Sequence, residues 1–453
     1  MSKVYLINLP IQNYVQRYLV EDFVYNPPLG LIYLGTWLEL HGYEVKILDL
    51  CYEKMNLDQL LDIFKKEEIL FVGITAYTEN INMAYSLAKL IKSVNQDLKI
   101  VLGGAHPTLM PLEVMSSEYV DFVVRKEGEA ILLELAEAIS SNEVSIKFEE
   151  IPGILFKKKS KVINNKIRQS IRDLDLLPIP KRELVDFERY NLVVNVSTSR
   201  GCPARCIYCS ATTLSGASYR TRDVENVFLE AVMIKKFLGE KLEKIYIVDD
   251  TFTAIPDRVR RFTELLKQCD LVIPWHCESR VDVMTEELID SMADSNCVAL
   301  QFGIESGSQE VLDKIQKGID LEYAKKMIKH AYSRGLVICL SFILGHYCDT
   351  HETMQQTCDL IEELFDKYKA ELAVSFNTPF PGTWQYTHLS ELGMRMVSDK
   401  YQKLTLTTPV VETDNFTVED QRKYYFKVRH CLGYKTALGR MKEVLENKHG
   451  KTR

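Results

Sequence analysis

The feature that most restricts the fold is a regular alternation of short apolar runs and amphipathic helical patterns over the first 140 residues. The apolar runs lack a polar–apolar alternation, which predicts parallel strands covered by helices on both faces. The predicted strands are Lys3–Leu9, Glu44–Leu50, Leu70–Thr75, Leu98–Gly103 and Val120–Val124, and the predicted helices are Leu29–His41, Leu57–Lys66, Ile81–Asn95 and Glu127–Ser140. We therefore predict a doubly wound, Rossmann-like α/β domain over residues 1–140, with its ligand outside the carboxyl ends of the strands.

A second alternation follows residues 141–190, a charged and proline-containing stretch that we expect to be a linker. It predicts six more strands with helices between them, as in a partial (β/α)6 TIM-type barrel over residues 191–383. The predicted strands are Leu192–Thr198, Lys244–Val248, Leu271–His276, Val298–Gly303, Val337–Leu344 and Glu371–Phe376. Residues 384–453 have a helical, aromatic pattern, and we expect them to close the barrel mouth and to help select a substrate.

Length and composition exclude several classes of protein. A chain of 453 residues is too long for one core, and its 46% hydrophobic and 26% charged content is that of a globular protein. Eleven cysteines are an odd number, so they cannot all form disulfides. The start MSKVYLINLP lacks the pattern of a secretory signal, so we expect a cytoplasmic protein with reduced thiols.

The charge pattern gives little indication of a macromolecular partner. The longest apolar run, Gly335 to Gly345, is shorter than the roughly 20 residues that span a bilayer. A net charge of −7 gives no reason to expect nucleic acid. Residues 421–453 carry ten Lys/Arg and two Glu. We expect a solvated helical face there, with contact to an anionic substrate or peripheral contact with a membrane surface as the alternative.

Three of the cysteines, Cys202, Cys206 and Cys209, lie within eight residues and directly follow a predicted strand. Thiolates on one short loop can converge on an iron–sulfur cluster or on zinc. A structural zinc site needs a fourth ligand, and the next cysteine is Cys269. Three ligands on a [4Fe–4S] cluster would leave one iron open for a small molecule. Zinc and incidental buried thiols are the alternatives.

The Cys-x3-Cys-x2-Cys spacing, with an aromatic residue before the last cysteine, resembles the signature of the radical SAM enzymes. The resemblance implies that the thiolates hold a [4Fe–4S] cluster, which cleaves S-adenosylmethionine (SAM) to a 5′-deoxyadenosyl radical. It also implies an external electron donor such as flavodoxin or ferredoxin. The SAM contacts that it implies are Tyr208, Asp249, Asp250, Arg280, Glu305 and Ser341. Helix capping is the alternative role for the acids, and a surface ion pair is the alternative for the arginine.

Polar loops follow the third, fourth and fifth predicted strands of the first domain, and the last two contain glycine. Because these strands are parallel, the loops should share one rim, where they could hold a nucleotide-like ligand. No Gly-x-Gly-x-x-Gly follows the first strand, which disfavours a dinucleotide. The segments at 103–108 and 127–129 resemble the cobalamin-binding domain that precedes many radical SAM barrels. The cobalamin contacts implied by this resemblance are Thr75, Tyr77, Thr78, Gly103, Gly104, His106, Pro107, Glu127 and Gly128.

One family motif is absent. Other B12 proteins ligate cobalt through the histidine of Asp-x-His-x-x-Gly, which this sequence lacks. His106 lies in a different loop, where we favour a structural role or a contact with the corrin edge. The cobalt is therefore expected to have no protein histidine ligand.

Together these resemblances predict a class B radical SAM methyltransferase-like enzyme. It would methylate an unactivated carbon of a small-molecule or natural-product substrate through methylcobalamin. Ring contraction, cyclisation or another rearrangement without methyl transfer is the alternative with the same cofactors. A metal- or cluster-containing binding protein without turnover is the alternative from another class. The sequence assigns no catalytic residue.

Overall fold

The first sheet has the topology of a doubly wound domain. A computed structural model describes residues 2–11, 26–53, 55–140, 147–190, 192–269 and 271–431. The five parallel strands are β1 (Lys3–Asn8), β2 (Glu44–Asp49), β3 (Ile69–Thr75), β4 (Lys99–Gly103) and β5 (Phe122–Val124). They are ordered β2-β1-β3-β4-β5, so the winding changes direction between β1 and β3, where such folds bind their ligands.

Helices cover both faces of this sheet. They are α1 (Leu29–Leu40), α2 (Leu57–Lys66), α3 (Ile81–Val94), α4 (Ala105–Leu109), α5 (Pro111–Ser116) and α6 (Glu129–Ser140). Helices α1 and α6 pack with Val4 and Leu6 of β1, whereas α2 and α3 pack with Tyr5 and Ile7. Alternate side chains of one strand thus enter two cores, as parallel strands require. The predicted fold class is confirmed.

An antiparallel hairpin extends this sheet. Strand β6 (Ile154–Lys158) pairs with β5, and β7 (Lys161–Asn164) pairs with β6. The turn holds Lys159 and Ser160 at φ angles of 47° and 64°. Such turns usually contain glycine or asparagine, and this charged sequence has neither. The stretch 141–190, which we expected to be a linker, is therefore in part a sheet.

A second sheet of six parallel strands forms the partial barrel, in the order β8-β11-β12-β13-β14-β15. Its strands are β8 (Val193–Val196), β11 (Lys244–Ile247), β12 (Trp275–Ser279), β13 (Cys297–Glu305), β14 (Val337–Leu344) and β15 (Glu371–Phe376), and a short antiparallel pair, β9 (Ser199–Arg200) and β10 (Arg220–Thr221), precedes β11. The third barrel strand begins four residues later than predicted. Pro274 lacks the N–H that a ladder requires, and the strand starts directly after it.

Helices surround the barrel, and all of them except the short first helix share one core with its strands. They are α7 (Ala211–Ser215), α8 (Val224–Leu238), α9 (Pro256–Gln268), α10 (Glu286–Asp294), α11 (Gln309–Lys314), α12 (Leu321–Ser333) and α13 (His351–Tyr368). Capping side chains define several of their starts. Helix α13, for example, begins with a capping box between Thr350 and Thr353.

The C-terminal region is less helical than predicted. Between α14 (Trp384–Thr387) and α15 (Val418–Val428) lies a short antiparallel pair, β16 (Arg395–Met396) and β17 (Val411–Glu412). A small apolar cluster around Met394 and Leu404 stabilises this segment. Most of the basic stretch 421–453 lies outside the described residues. Across the described ranges, no helix combines the length and apolar character needed to cross a membrane.

Candidate active site

A cavity of about 810 Å³ lies where the carboxyl ends of the two sheets meet. Its walls come from the ends of β1, β3, β4 and β5 on one side and from segments of the barrel on the other. The barrel side contributes Asn195, Ser197, Ser199, Arg200, Leu214, Ser215, Val248 and Asp250. Six of the nine predicted cobalamin residues line this space, namely Thr75, Tyr77, Gly103, Gly104, Glu127 and Gly128.

Glycine shapes the rim of the first domain. Gly104 has a φ of 99°, and a Cβ there would lie 2.7 Å from Thr75 Oγ1 and 2.9 Å from the carbonyl oxygen of Ala76. A Cβ on Gly128 would lie 3.1 Å from Leu34. Any larger residue at Gly104 would displace the backbone that forms the rim, so the rim can present bare backbone to a ligand.

Buried ion pairs hold the two rims together. Arg200 donates to Glu129 over 2.6 Å, and Arg220 lies 2.7 Å from Glu127. The amide of Ile171 also donates to Glu127, over 2.7 Å. Burial raises the pKa of Glu127, but the bonds from Arg220 and Ile171 outweigh it and leave that pKa below its usual value. Glu127 thus joins the domains as well as lining the cavity.

The other three predicted cobalamin residues are not among those that line this cavity. His106 is fully buried, with Nδ1 3.1 Å from Thr78 Oγ1 and Nε2 3.0 Å from Glu113 Oε2. Its ring packs edge-on against Tyr401, with the centroids 4.8 Å apart, and Pro107 is buried beside it. Both imidazole nitrogens have partners within the protein, which favours the structural role for His106 over a contact with the corrin edge.

The three clustered cysteines lie on the loop between β9 and α7. Gly201 begins this loop with a φ of 94°, and a Cβ there would overlap the carbonyl oxygen of Ser218. The amide of Ala211 donates to Cys209 Sγ over 3.4 Å. Burial, together with the charges of Cys206 and Cys202, raises the pKa of Cys209 to about 11, although the Ala211 amide lowers it. A bound metal would stabilise the thiolate form.

The three thiols lie on one loop, and a [4Fe–4S] cluster would take each of them on a different iron. In the described ranges, no three His, Cys, Asp or Glu side chains converge as the ligands of one metal ion do.

The two neighbouring aspartates after β11 have different surroundings. Asp249 is buried, and its Oδ1 accepts the amides of Thr198 and Ser199 over 2.6 and 3.0 Å. Its Oδ2 accepts the Thr198 hydroxyl, and Arg258 interacts with it electrostatically. Asp250 lines the cavity instead. Asp249 therefore fixes the start of the cysteine loop, and Asp250 is the carboxylate available to a ligand.

Arg280 and Glu305 are each paired within the protein. Arg280 donates through Nε and Nη2 to Asp282, both over 3.0 Å, and Nη2 also donates to the carbonyl of Lys317 over 2.8 Å. Glu305 accepts Lys317 Nζ over 2.7 Å and has a φ of 71°, an uncommon backbone conformation for a glutamate. The ion pair that we considered for Arg280 is thus present, and Lys317 is a site residue that the sequence did not indicate.

Sequence reasoning also missed His346, the second residue after β14. Its imidazole is fully buried, and neither nitrogen has a partner among the described residues. The ring centroid lies 5.3 Å from that of Tyr208. Burial and the charge of Lys317 lower the pKa of His346 to about 3, so the ring is neutral. Ser341 lies earlier on β14, opposite Gly303 of β13. A histidine at the carboxyl end of a barrel strand was the available signal.

Comparison with known proteins agrees with this arrangement. The B12 binding domain family matches residues 20–136, and the Radical SAM superfamily matches residues 196–361. An uncharacterized methyltransferase of Pyrococcus horikoshii is 33% identical over 93% of this chain and 90% of its own length. The anaerobic magnesium-protoporphyrin IX monomethyl ester cyclase of Rubrivivax gelatinosus is 27% identical over 86% of this chain and 70% of its own.

A solved structure shows the same overall fold. The radical SAM methyltransferase TsrM from Kitasatospora setae, with cobalamin and a [4Fe–4S] cluster bound, superposes with a TM-score of 0.77. The identity is 18%, and the match covers 95% of this chain and 88% of that one.

The fold and site define a radical SAM enzyme with a B12-binding domain in front of its barrel. The chain belongs to the cobalamin-dependent radical SAM family, and its cofactors are cobalamin, SAM and a [4Fe–4S] cluster. The predicted family, enzyme class and cofactors are confirmed.

Proposed function

We propose that this enzyme transfers a methyl group to a carbon atom of a small molecule. The observation that carries the proposal is the shared cavity, because the B12-side loops and the segment after β11 line the same space. The Pyrococcus horikoshii relative is named as a methyltransferase, which supports the same reaction. When bound, the cofactors supply a radical that removes a hydrogen atom from the substrate and a methyl group that replaces it.

The residues of the first domain fit cobalamin. The side-chain-free rim at Gly104 allows a large planar ligand to approach the backbone closely. Apolar side chains of β1, β4 and α6 form the floor, including Leu6, Val101 and Leu132. Thr75 and Tyr77 offer polar groups at the edge. We assign the cavity-lining subset of the predicted contacts to cobalamin.

The loop after β9 fits the cluster and SAM. Cys202, Cys206 and Cys209 would ligate three irons, and the Ala211 amide would stabilise one thiolate. Asp250 would accept a hydrogen bond from the amino group of SAM, since it lines the cavity. The buried Glu305–Lys317 pair, with Tyr208, would position the rest of the cofactor.

The protein's own contribution is positioning and the exclusion of water. Arg200 and Arg220 hold the two rims together across the cavity through buried pairs. Asp249 fixes the backbone that leads into the cysteine loop. A reactive radical requires such a closed, ordered space, because water or a mobile loop would divert it.

The test is anaerobic turnover with SAM that carries a CD3 methyl group. Reconstituted enzyme, hydroxocobalamin, a reductant and cell extract should yield 5′-deoxyadenosine, S-adenosylhomocysteine and a metabolite that gains the labelled methyl. Cys206→Ala should abolish all three products, whereas Cys269→Ala, at an exposed cysteine outside the loop, should abolish none. Formation of 5′-deoxyadenosine without S-adenosylhomocysteine would overturn methyl transfer.

That last outcome would favour a second function. The Rubrivivax gelatinosus relative is named as a cyclase, so a rearrangement with the same cofactors is the alternative.

We also infer the cellular context from the chemistry. The cluster needs an external one-electron donor, such as flavodoxin or ferredoxin, and a reducing compartment such as the cytoplasm. The divisions at residues 190 and 383 remain our proposed domain boundaries, whereas the first domain extends past residue 140 to include the hairpin of β6 and β7.

A further inference from the structure

The barrel lumen carries a layer of polar side chains next to the cofactor cavity. Asn195, Tyr246 and His276 are neighbours in register across β8, β11 and β12, and Glu278 of β12 is paired with Gln301 of β13. The alternating residues of these strands, such as Ile245 and Cys277, belong to the outer apolar core. Because side chains alternate along a strand, the polar set faces the lumen.

This layer borders the cofactor cavity at Asn195. Asn195 lines the cavity, as do Val248 and Asp250 at the carboxyl end of β11. Asp250 is also close enough to Glu278 to affect its ionisation. A molecule that reaches the layer therefore lies beside the space assigned to the cofactors.

The layer offers acceptors that lack donors. Among the described residues, neither Asn195 Oδ1 nor His276 Nδ1 has a hydrogen-bond partner, although both atoms are buried. His276 is only 9% exposed and stacks flat on Tyr246, with the ring centroids 4.2 Å apart. Buried acceptors without donors are costly, so such atoms indicate a ligand that supplies the donors.

The charge near Glu278 is negative, whereas Lys244, two residues before Tyr246 on β11, acts on His276 and Glu371 instead. Glu278 accepts the Tyr246 hydroxyl but forms no salt bridge within the described part of the chain. Burial raises the pKa of Glu278, and the charges of Asp250 and Asp249 raise it further, whereas the hydrogen bond from Tyr246 lowers it. Arg280, the first residue after β12, is held by Asp282. A cation beside Glu278 would stabilise its charged carboxylate, which burial and the two aspartates disfavour.

We infer that Asn195, Tyr246, His276 and Glu278 form the substrate-recognition site and that it takes a small molecule with a protonated amine. This inference rests on the proposed function, because it identifies the substrate of that reaction. The ammonium donates to Glu278, and the other donors of the substrate meet Asn195 and His276. Glu278 and Asp250 would repel an anionic substrate. An apolar substrate would leave Asn195 and His276 without hydrogen-bond donors.

The size of the preference follows from the bond that Glu278 makes. A hydrogen bond between charged groups contributes roughly ten- to hundredfold in affinity, and a site built for it rejects an analogue without the donor. The amine should therefore bind at least tenfold more tightly than the corresponding alcohol.

The experiment uses the reconstituted full-length enzyme and sets of probes that share one carbon skeleton. Each set contains a primary amine, the corresponding alcohol and the corresponding carboxylate, and dissociation constants are measured at equal ionic strength. Glu278→Gln preserves shape and the Tyr246 contact but should remove the preference for the amine. Glu278→Asp should retain part of it. Glu243→Gln, at an exposed residue on the outer side of the barrel, should leave it unchanged.

The outcomes separate this inference from the proposed function. Equal binding of amine and alcohol, including no binding of either, overturns the amine site, and so does a preference that survives Glu278→Gln. Cleavage of SAM to 5′-deoxyadenosine is measured in the same preparations. If cleavage persists while the amine preference is absent, only the substrate inference fails. If cleavage itself is absent, the proposed function fails.

Discussion

Asp249 and Asp250 are adjacent in sequence but should respond differently to substitution. Asp249→Ala removes the acceptor for two backbone amides and one hydroxyl, all donated by Thr198 and Ser199 in a buried setting. Each donor left unsatisfied costs about 1–3 kcal/mol. Three such donors would sum to about 3–9 kcal/mol, and we expect a loss of about 3–5 kcal/mol in the free energy of unfolding because the Thr198 hydroxyl can rotate to another partner. Asp250→Ala removes one backbone contact, with Gly201, and should change stability by about 1 kcal/mol.

The assay compares thermal unfolding of the apoproteins with SAM binding to the reconstituted proteins. For a domain of this size, the Asp249→Ala penalty corresponds to a loss of roughly 6–20 °C in melting temperature. Its iron content should fall as well, because the backbone that leads into the cysteine loop is released. Asp250→Ala should retain its iron and bind SAM roughly tenfold more weakly.

Asp249→Asn provides the matched control. The asparagine carbonyl can still accept both backbone amides, so this variant should keep most of the stability that Asp249→Ala loses. If Asp249→Ala melted like the unsubstituted protein but bound SAM weakly, Asp249 would be a ligand contact and our interpretation of it would be wrong.

Three further substitutions test other parts of the structure. Cys206→Ala should lose the visible iron–sulfur absorption without a large change in the secondary structure measured by circular dichroism. Glu230→Ala leaves Arg182 and Arg222 buried without their shared carboxylate and should cost about 3–5 kcal/mol in urea unfolding. Burial raises the pKa of Asp349 to about 6. In the unfolded chain this carboxyl loses its proton at about pH 4, whereas in the folded protein it keeps the proton until about pH 6. The free energy of unfolding should therefore fall by about 3 kcal/mol as the pH rises from about 4 to 6. Asp349→Asn should lack that loss when both proteins are unfolded across this pH range.

The sequence predicted the fold because strand and helix periodicity is a local property. Most predicted strands agree with the structure to within two residues, and β14 and β15 agree fully. The hairpin at 154–164 was missed because its turn places Lys159 and Ser160 at positive φ. Lysine and serine are not the residue types that indicate such a turn. The pair β16–β17 was missed because its strands of two residues are too short to show a period.

The site was predictable only as far as chain spacing and resemblance could indicate it. The cysteine loop and the rim loops follow strands directly, so their approximate position follows from topology. The partners of individual side chains do not, because they come from distant parts of the chain. Lys317 reaches Glu305 from the segment after α11, and His106 is enclosed by Tyr401, almost 300 residues later.

The arrangement of cores and ion pairs explains how two domains can share one cavity. Each domain has its own apolar cores, and those of the first domain contain few residues from beyond it. The contacts beside the cavity are instead polar, between Arg200 and Glu129 and between Arg220 and Glu127. Loss of such a pair should therefore leave both cores intact and change how the rims meet. Buried charged pairs also depend on geometry more strongly than apolar contacts, so they fix the register of the two rims. Relative placement of the rims is what the proposed reaction requires, since both of them must contact one substrate.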